Sequence, residues 1–204
     1  MGVSGALQRF LKSLREYVEM LNAREIARRM FVTNSFDGLL STLGIILGNY
    51  TYGTTNIESY VGGVVGASMA LGLFSGMIAT YLSERAERLR ELRKTERVML
   101  RSLRGTIYEK AAKLVPVYVA FWSGFGAVVL PIIGIAPFLA TLVLGLSLPL
   151  STLVYSSAAI ILGELFALGV YLGRVSGENP LLSGARMAAI GLGAVALFTF
   201  INMF

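Results

Sequence analysis

The chain has 204 residues, of which 55% are hydrophobic and only 15% charged, with a mean hydropathy of +0.69. Soluble domains carry about 25% charged residues, so this composition points to one membrane domain. With no cysteine and no histidine, disulfides, thiolate sites, imidazole ligands and histidine acid–base chemistry are excluded.

Residues 1–29 lack the basic start, apolar core and small-residue cleavage site of a signal peptide. Phe10, Leu11, Leu14, Tyr17, Val18 and Leu21 recur three or four residues apart, while Arg9, Lys12, Arg15, Glu16 and Glu19 lie mostly elsewhere. That spacing predicts an amphipathic helix, on the inner membrane surface or packed on the domain's own polar end. A first membrane span is predicted over residues 30–52. It carries a carboxylate, Asp37, about 12 Å in from Arg29 at 1.5 Å per residue. A carboxylate at that depth costs a few kcal/mol, so it normally faces protein or water and marks a pathway. Asn34, Asp37, Ser41, Gly44 and Gly48 share one face of this helix, while Leu39, Leu43 and Ile46 form a greasy one.

Residues 53–56 read as a turn, with Glu58 at the outer boundary, and a second span follows over 57–83. Ser68, Gly72, Gly76 and Thr80 stand four apart, a small-residue ridge that lets helix backbones approach in lipid; Ser68, Gly72 and Gly76 are read as helix-packing positions. The polar block 83–113 continues that helix beyond the membrane, with Gly105 expected to break it in two. Its mixed charges suit a solvated helix face, with Arg88, Glu91 and neighbouring charges forming i,i+3 and i,i+4 pairs. A third span is predicted over 111–134. Residues 135–148 are apolar but too short to cross a bilayer as a helix, and suit a re-entrant or interfacial piece or a lengthening of the flanking spans. The fourth span, 150–173, carries Glu164 roughly 15 Å from Arg174, near mid-depth. Ser157, Glu164 and Tyr171 share its face at seven-residue spacing. Glu164 is either a protonated acid bonded inside the bundle or a proton-coupling group. A polar turn over 174–184 and a fifth span over 185–204 complete the chain.

The fold class expected is therefore an all-α integral membrane protein. It has an amphipathic helix (1–29), membrane helices 1 and 2 (30–82), a short charged cytosolic extension (83–113) and membrane helices 3 to 5 (114–204). Six basic residues fall in 1–29, ten in 83–113, and Arg174 and Arg186 in the last turn, which is every one of the 18. Five spans put all three segments on one side, and the positive-inside rule makes that side cytoplasmic. The N-terminus is then inside and the C-terminus outside. The net charge of +6 is thus a topology signal and no argument for a nucleic-acid partner.

Met77 lies about 9 Å before Ser83, at a depth similar to that of Asp37 on the first span. A hard carboxylate and a soft thioether meeting at one level can bind a borderline divalent ion such as Fe²⁺. No nucleophile–base arrangement points to an enzyme. The rival expectation is a non-transporting scaffold whose basic inner face binds anionic lipid or a partner protein.

The segments FDGLLSTLG in the first span, SGMIATYLSERAE at the end of the second, IIGIAPF after the third and GRVSGENPLLSGARM between the last two carry a resemblance. Over residues 24–204 the chain resembles the vacuolar iron transporter family, the plant vacuolar and yeast iron/manganese transporters and their prokaryotic relatives. The resemblance implies a homodimer in the lipid bilayer with its ion path between the copies. It implies export of Fe²⁺ or Mn²⁺ from the cytosol in exchange for protons, with no permanently bound cofactor. It places the family's first-span aspartate at Asp37, its membrane methionine at Met77 or the adjoining Gly76, and its metal-collecting carboxylates at Glu84, Glu87 and Glu91. A glutamate that some members carry in the second span is Ser68 here, and the inner domain is much shorter than in the plant members.

Overall fold

The computed structural model describes residues 3–201, with the backbone alone for 3–7, 9–11 and 201. Among the described residues the chain is helical, without strands: α1 (Val3–Met20), α2 (Ala23–Thr51), α3 (Ile57–Met69), a π-helical stretch (Ala70–Ala79), α4 (Thr80–Met99), α5 (Ile107–Gly134), α6 (Ala136–Leu144), α7 (Leu150–Ser176) and α8 (Pro180–Ile201). Five helices are long and apolar enough to cross a membrane: α2, the continuous 43-residue rod Ile57–Met99, α5, α7 and α8. They coincide with the five expected spans, and the polar block does prolong the second.

Several boundaries differ from expectation. The helix expected over 1–29 breaks at Asn22, whose φ of 50° lies in the left-handed region, which asparagine tolerates better than most side chains. Residues 23–29 thus open α2, which runs for 29 residues, about 43 Å. The side chains of Arg9, Phe10 and Leu11 lie outside the described residues. Behind them, Tyr17 and Val18 are buried against Ala23, Ala27, Ala111, Val115 and Val119, so this half of α1 packs on its own domain. The rod stops before Gly105, at Leu100, with φ 50°; Gly105, at φ +76°, only shapes the turn into α5. The last span starts at Pro180, five residues early. Asn179 Oδ1 accepts from the Leu181 and Leu182 amides, and proline suits a first helical turn. Segment 135–148 divides into the nine-residue α6, ended by left-handed Gly145, and an exposed stretch without regular structure.

The membrane core gathers Leu39, Leu43 and Ile46 of α2, Tyr60 and Val64 of α3, Phe138 of α6, and Leu153, Ile161 and Leu165 of α7. Tyr60 stacks on Phe138 at 4.9 Å and its hydroxyl donates to Thr54 O at 2.9 Å. Helix pairs meet on small residues. Gly38 lies against Ala127 and Pro131, Gly126 against Ser35 and Phe31, and Gly169 and Gly173 against Pro180, Ser183 and Gly184. Such contacts replace the hydrophobic drive that lipid does not supply between helices.

The Ser68–Gly72–Gly76 ridge packs within the chain, on α5. A Cβ on Gly72 would fall on the Val128 side chain and the Gly124 carbonyl, and one on Gly76 on the Gly124 backbone. A strict repeat of four drifts by roughly 40° per step on a helix of 3.6 residues per turn. A π-helix bonds i to i+5 and holds more residues per turn, so the Ala70–Ala79 stretch drifts the ridge back and keeps it on α5.

All three basic segments lie at one end of the bundle. Arg88 of α4 reaches the Leu21 carbonyl. Arg24 and Arg28 share a cleft with Tyr118 and Tyr171, and Thr33 shares a groove with Ser176 and Arg186.

Candidate functional site

Asn34 of α2 donates from Nδ2 to the Ser123 Oγ of α5 at 2.5 Å. Ser123 Oγ is 3.0 Å from Thr80 Oγ1 at the start of α4. Ser123 is fully buried, so α2 and the rod are pinned at one level through α5. From that level α2 runs away from the basic end and the rod runs towards it. Asp37, three residues on from Asn34, and Met77, three residues before Thr80, therefore stand at one depth, about 4.5 Å further in.

Their surroundings differ. Met77 is half-buried against Gly124. Asp37 is exposed and makes no hydrogen bond or ion pair among the described residues. It lies on the open flank of α2, beside exposed Thr33. Seven residues further along this stripe, the Phe198 ring covers Gly44. Within one chain, then, Asp37 and Met77 share a level without sharing a ligand position.

The carboxylates of α4 are committed elsewhere. Arg88, buried at 8% exposure, donates from Nε to Glu84 Oε1 and from Nη1 to Glu91 Oε2, each at 2.8 Å, and from Nη2 to Leu21 O at 3.5 Å. Glu87 faces Arg90 at 3.6 Å. A metal arriving at Glu84 or Glu91 meets a pair of carboxylates that both already bond Arg88, which offsets one of their two charges. Among the described residues no three acidic side chains gather at one point.

Glu164 lies deep between α7 and α5, with Oε2 facing Gly134. Both of its carboxyl oxygens are buried and have no hydrogen-bond partner among the described residues. On its face Ser157 is fully buried and also unpartnered, and Tyr171 is exposed.

Sequence reasoning paired Arg88 with Glu91 at i,i+3 spacing, as the structure has it, and missed Ser123 and the reach of Arg88 to the Leu21 carbonyl. The run Trp122-Ser-Gly-Phe-Gly126 held the signal for the first, since it is the small-residue stretch of α5 that answers the Ser68–Gly76 ridge. The Leu21 contact had none, because nothing in the spacing of the polar block ties it to the turn after α1.

No protein-family model matches the chain. Over 196 residues it is 28% identical to an uncharacterized protein of Methanocaldococcus jannaschii, a similarity that spans 94% of this chain and 96% of that one.

Proposed function

We propose that this chain is a membrane transporter that exports divalent metal ions, Fe²⁺ or Mn²⁺, from the cytosol in exchange for protons. The carrying observation is Asp37, a carboxylate without a partner among the described residues, on the open flank of a membrane-length helix and level with the Met77 thioether. In hydrocarbon such a group costs a few kcal/mol, and it turns instead to protein, water or a cation. A second copy packed on that flank would bring two carboxylates and two thioethers to one level. That set offsets the charge of a dehydrated dication and suits borderline Fe²⁺.

The uncovered surfaces support pairing there. Within one chain 22% of the residues in the rod's apolar stretch are buried, against 39% in that of α2. Gly62 and Gly66 on its outer side have nothing near them, which leaves room for a close helix. The positive-inside rule puts the basic end in the cytosol, so the N-terminus is cytosolic and the C-terminus outside. The resemblance to vacuolar iron transporters supports the direction and the proton exchange. Glu84, Glu87 and Glu91 line the approach, where Glu84 and Glu91 must exchange Arg88 for the ion. Glu164 is the proton-coupling candidate.

Metal flux into proteoliposomes tests this. Asp37→Asn keeps shape but loses the charge that balances a dication, so Fe²⁺ and Mn²⁺ flux is expected to fall to background in a protein that still folds. Met77→Leu should be milder and weaken Fe²⁺ more than Mn²⁺. Normal flux in Asp37→Asn would sink the transporter in favour of a scaffold with Asp37 as a structural acid.

A further inference from the structure

A second feature lies on the other side of α2. Between α2, α5 and α7 a cleft of about 470 Å³ opens at the basic end of the bundle. Arg24, Arg28 and Phe31 supply its α2 wall, at helical spacing; Tyr118 and Trp122 supply the α5 wall, and Tyr171 the α7 wall. Asp37 is nine residues beyond Arg28, two and a half turns, and so points the opposite way. Pairing along the Asp37 flank leaves this cleft open.

Its polarity runs in one order. The mouth is cationic: Arg24 is tied to Glu19 at 3.0 Å, whereas half-buried Arg28 has no hydrogen-bond or ion-pair partner among the described residues. Further in, the walls are aromatic and braced, with Trp122 edge-on to Phe31 at 6.3 Å and to Tyr118 at 6.5 Å. Phe31 and Tyr171 also line a narrower cleft of about 240 Å³, which carries on past Leu130 and Leu168 to Glu164.

We propose that this cleft binds one anionic phospholipid, its phosphate on Arg28 and an acyl chain along Phe31, Trp122 and Tyr171. A cation at the interface above an aromatic, apolar channel repeats the order of an anionic lipid, head to tail. Free phosphate would meet Arg28 but gain nothing from the aromatic walls. A zwitterionic lipid would fill the walls without a net charge to answer the guanidinium. The site requires only that the chain sits in a bilayer, and stands or falls apart from metal transport.

Trp122 is the chain's single tryptophan, so all tryptophan fluorescence comes from the α5 wall of this cleft and the lipid around it. The full chain is reconstituted in phosphatidylcholine vesicles with rising fractions of brominated phosphatidylglycerol or brominated phosphatidylcholine. Brominated phosphatidylglycerol is expected to quench at a mole fraction about fivefold lower, the preference that one arginine at a lipid surface provides. Arg28→Gln should abolish the preference, and Arg29→Gln, on an exposed neighbouring face, should retain it. Equal quenching by the two lipids would overturn the proposal and leave ordinary boundary lipid. Equal loss in both variants would reduce it to surface charge. Relief of quenching by inorganic phosphate would make it a free-anion site. If Arg28→Gln does not fold, the wild-type comparison of the two brominated lipids decides alone.

Discussion

Asp37 and Glu164 are both acids in apolar helices, and they stand in opposite situations. Asp37 is exposed and open to a partner or an ion; Glu164 is half-buried, its two oxygens buried without a hydrogen-bond partner among the described residues. An amide at 164 fits the same space, so Glu164→Gln tests charge and proton uptake more than packing. If the proposed exchange holds, wild-type export is expected to rise as the far side is acidified, because entering protons would drive metal out. Glu164→Gln should flatten that dependence, measured as metal flux in proteoliposomes under an imposed pH difference. An unchanged dependence would make Glu164 a structural acid. Both positions were readable in the sequence, because a lone carboxylate among apolar residues is conspicuous. Ser123 was not: a serine among glycines looks like packing until Asn34 and Thr80 converge on it.

Among elements, the rod and α5 make the contact most exposed to test. Gly72→Leu drives a side chain into Val128 and the Gly124 carbonyl, and overpacking of this kind costs about 1–3 kcal/mol. Its melting temperature in detergent should drop, while Gly62→Leu, with open space around it, should leave the chain's own stability nearly unchanged. Equal melting of Gly72→Leu and wild type would mean that the ridge bears no packing load. Helix ends were legible where their chemistry is local, as at the Gly53 turn. They were misplaced where a side chain sits in a conformation it rarely adopts, as at Leu100, or where tertiary contact decides, as at Ala23. The four-residue repeat was legible as a ridge. Its need for π-helical winding was not, because a repeat names a face and leaves the pitch open.

For the molecule as a whole, span number and basic-residue placement agree because the same alternation of five helices brings every basic segment to one end. Sidedness follows from a labelling experiment made simple by the absence of native cysteine. Ser102→Cys and Thr55→Cys both lie in exposed turns, at opposite ends of the rod. In intact cells an impermeant maleimide is expected to label Thr55→Cys, and Ser102→Cys only after lysis. Labelling of both from one side would break the five-span alternation. The rod that joins these two turns is wound at two pitches. Ten residues rewound from π to α would turn α4 against α3 by roughly half a revolution. Arg88 would then swing away from Leu21, and its grip on the α1–α2 turn would be lost. The clasp below the membrane therefore works as an index stop on a screw: by holding α4 at one angle, it also holds the pitch of the stretch that carries Met77.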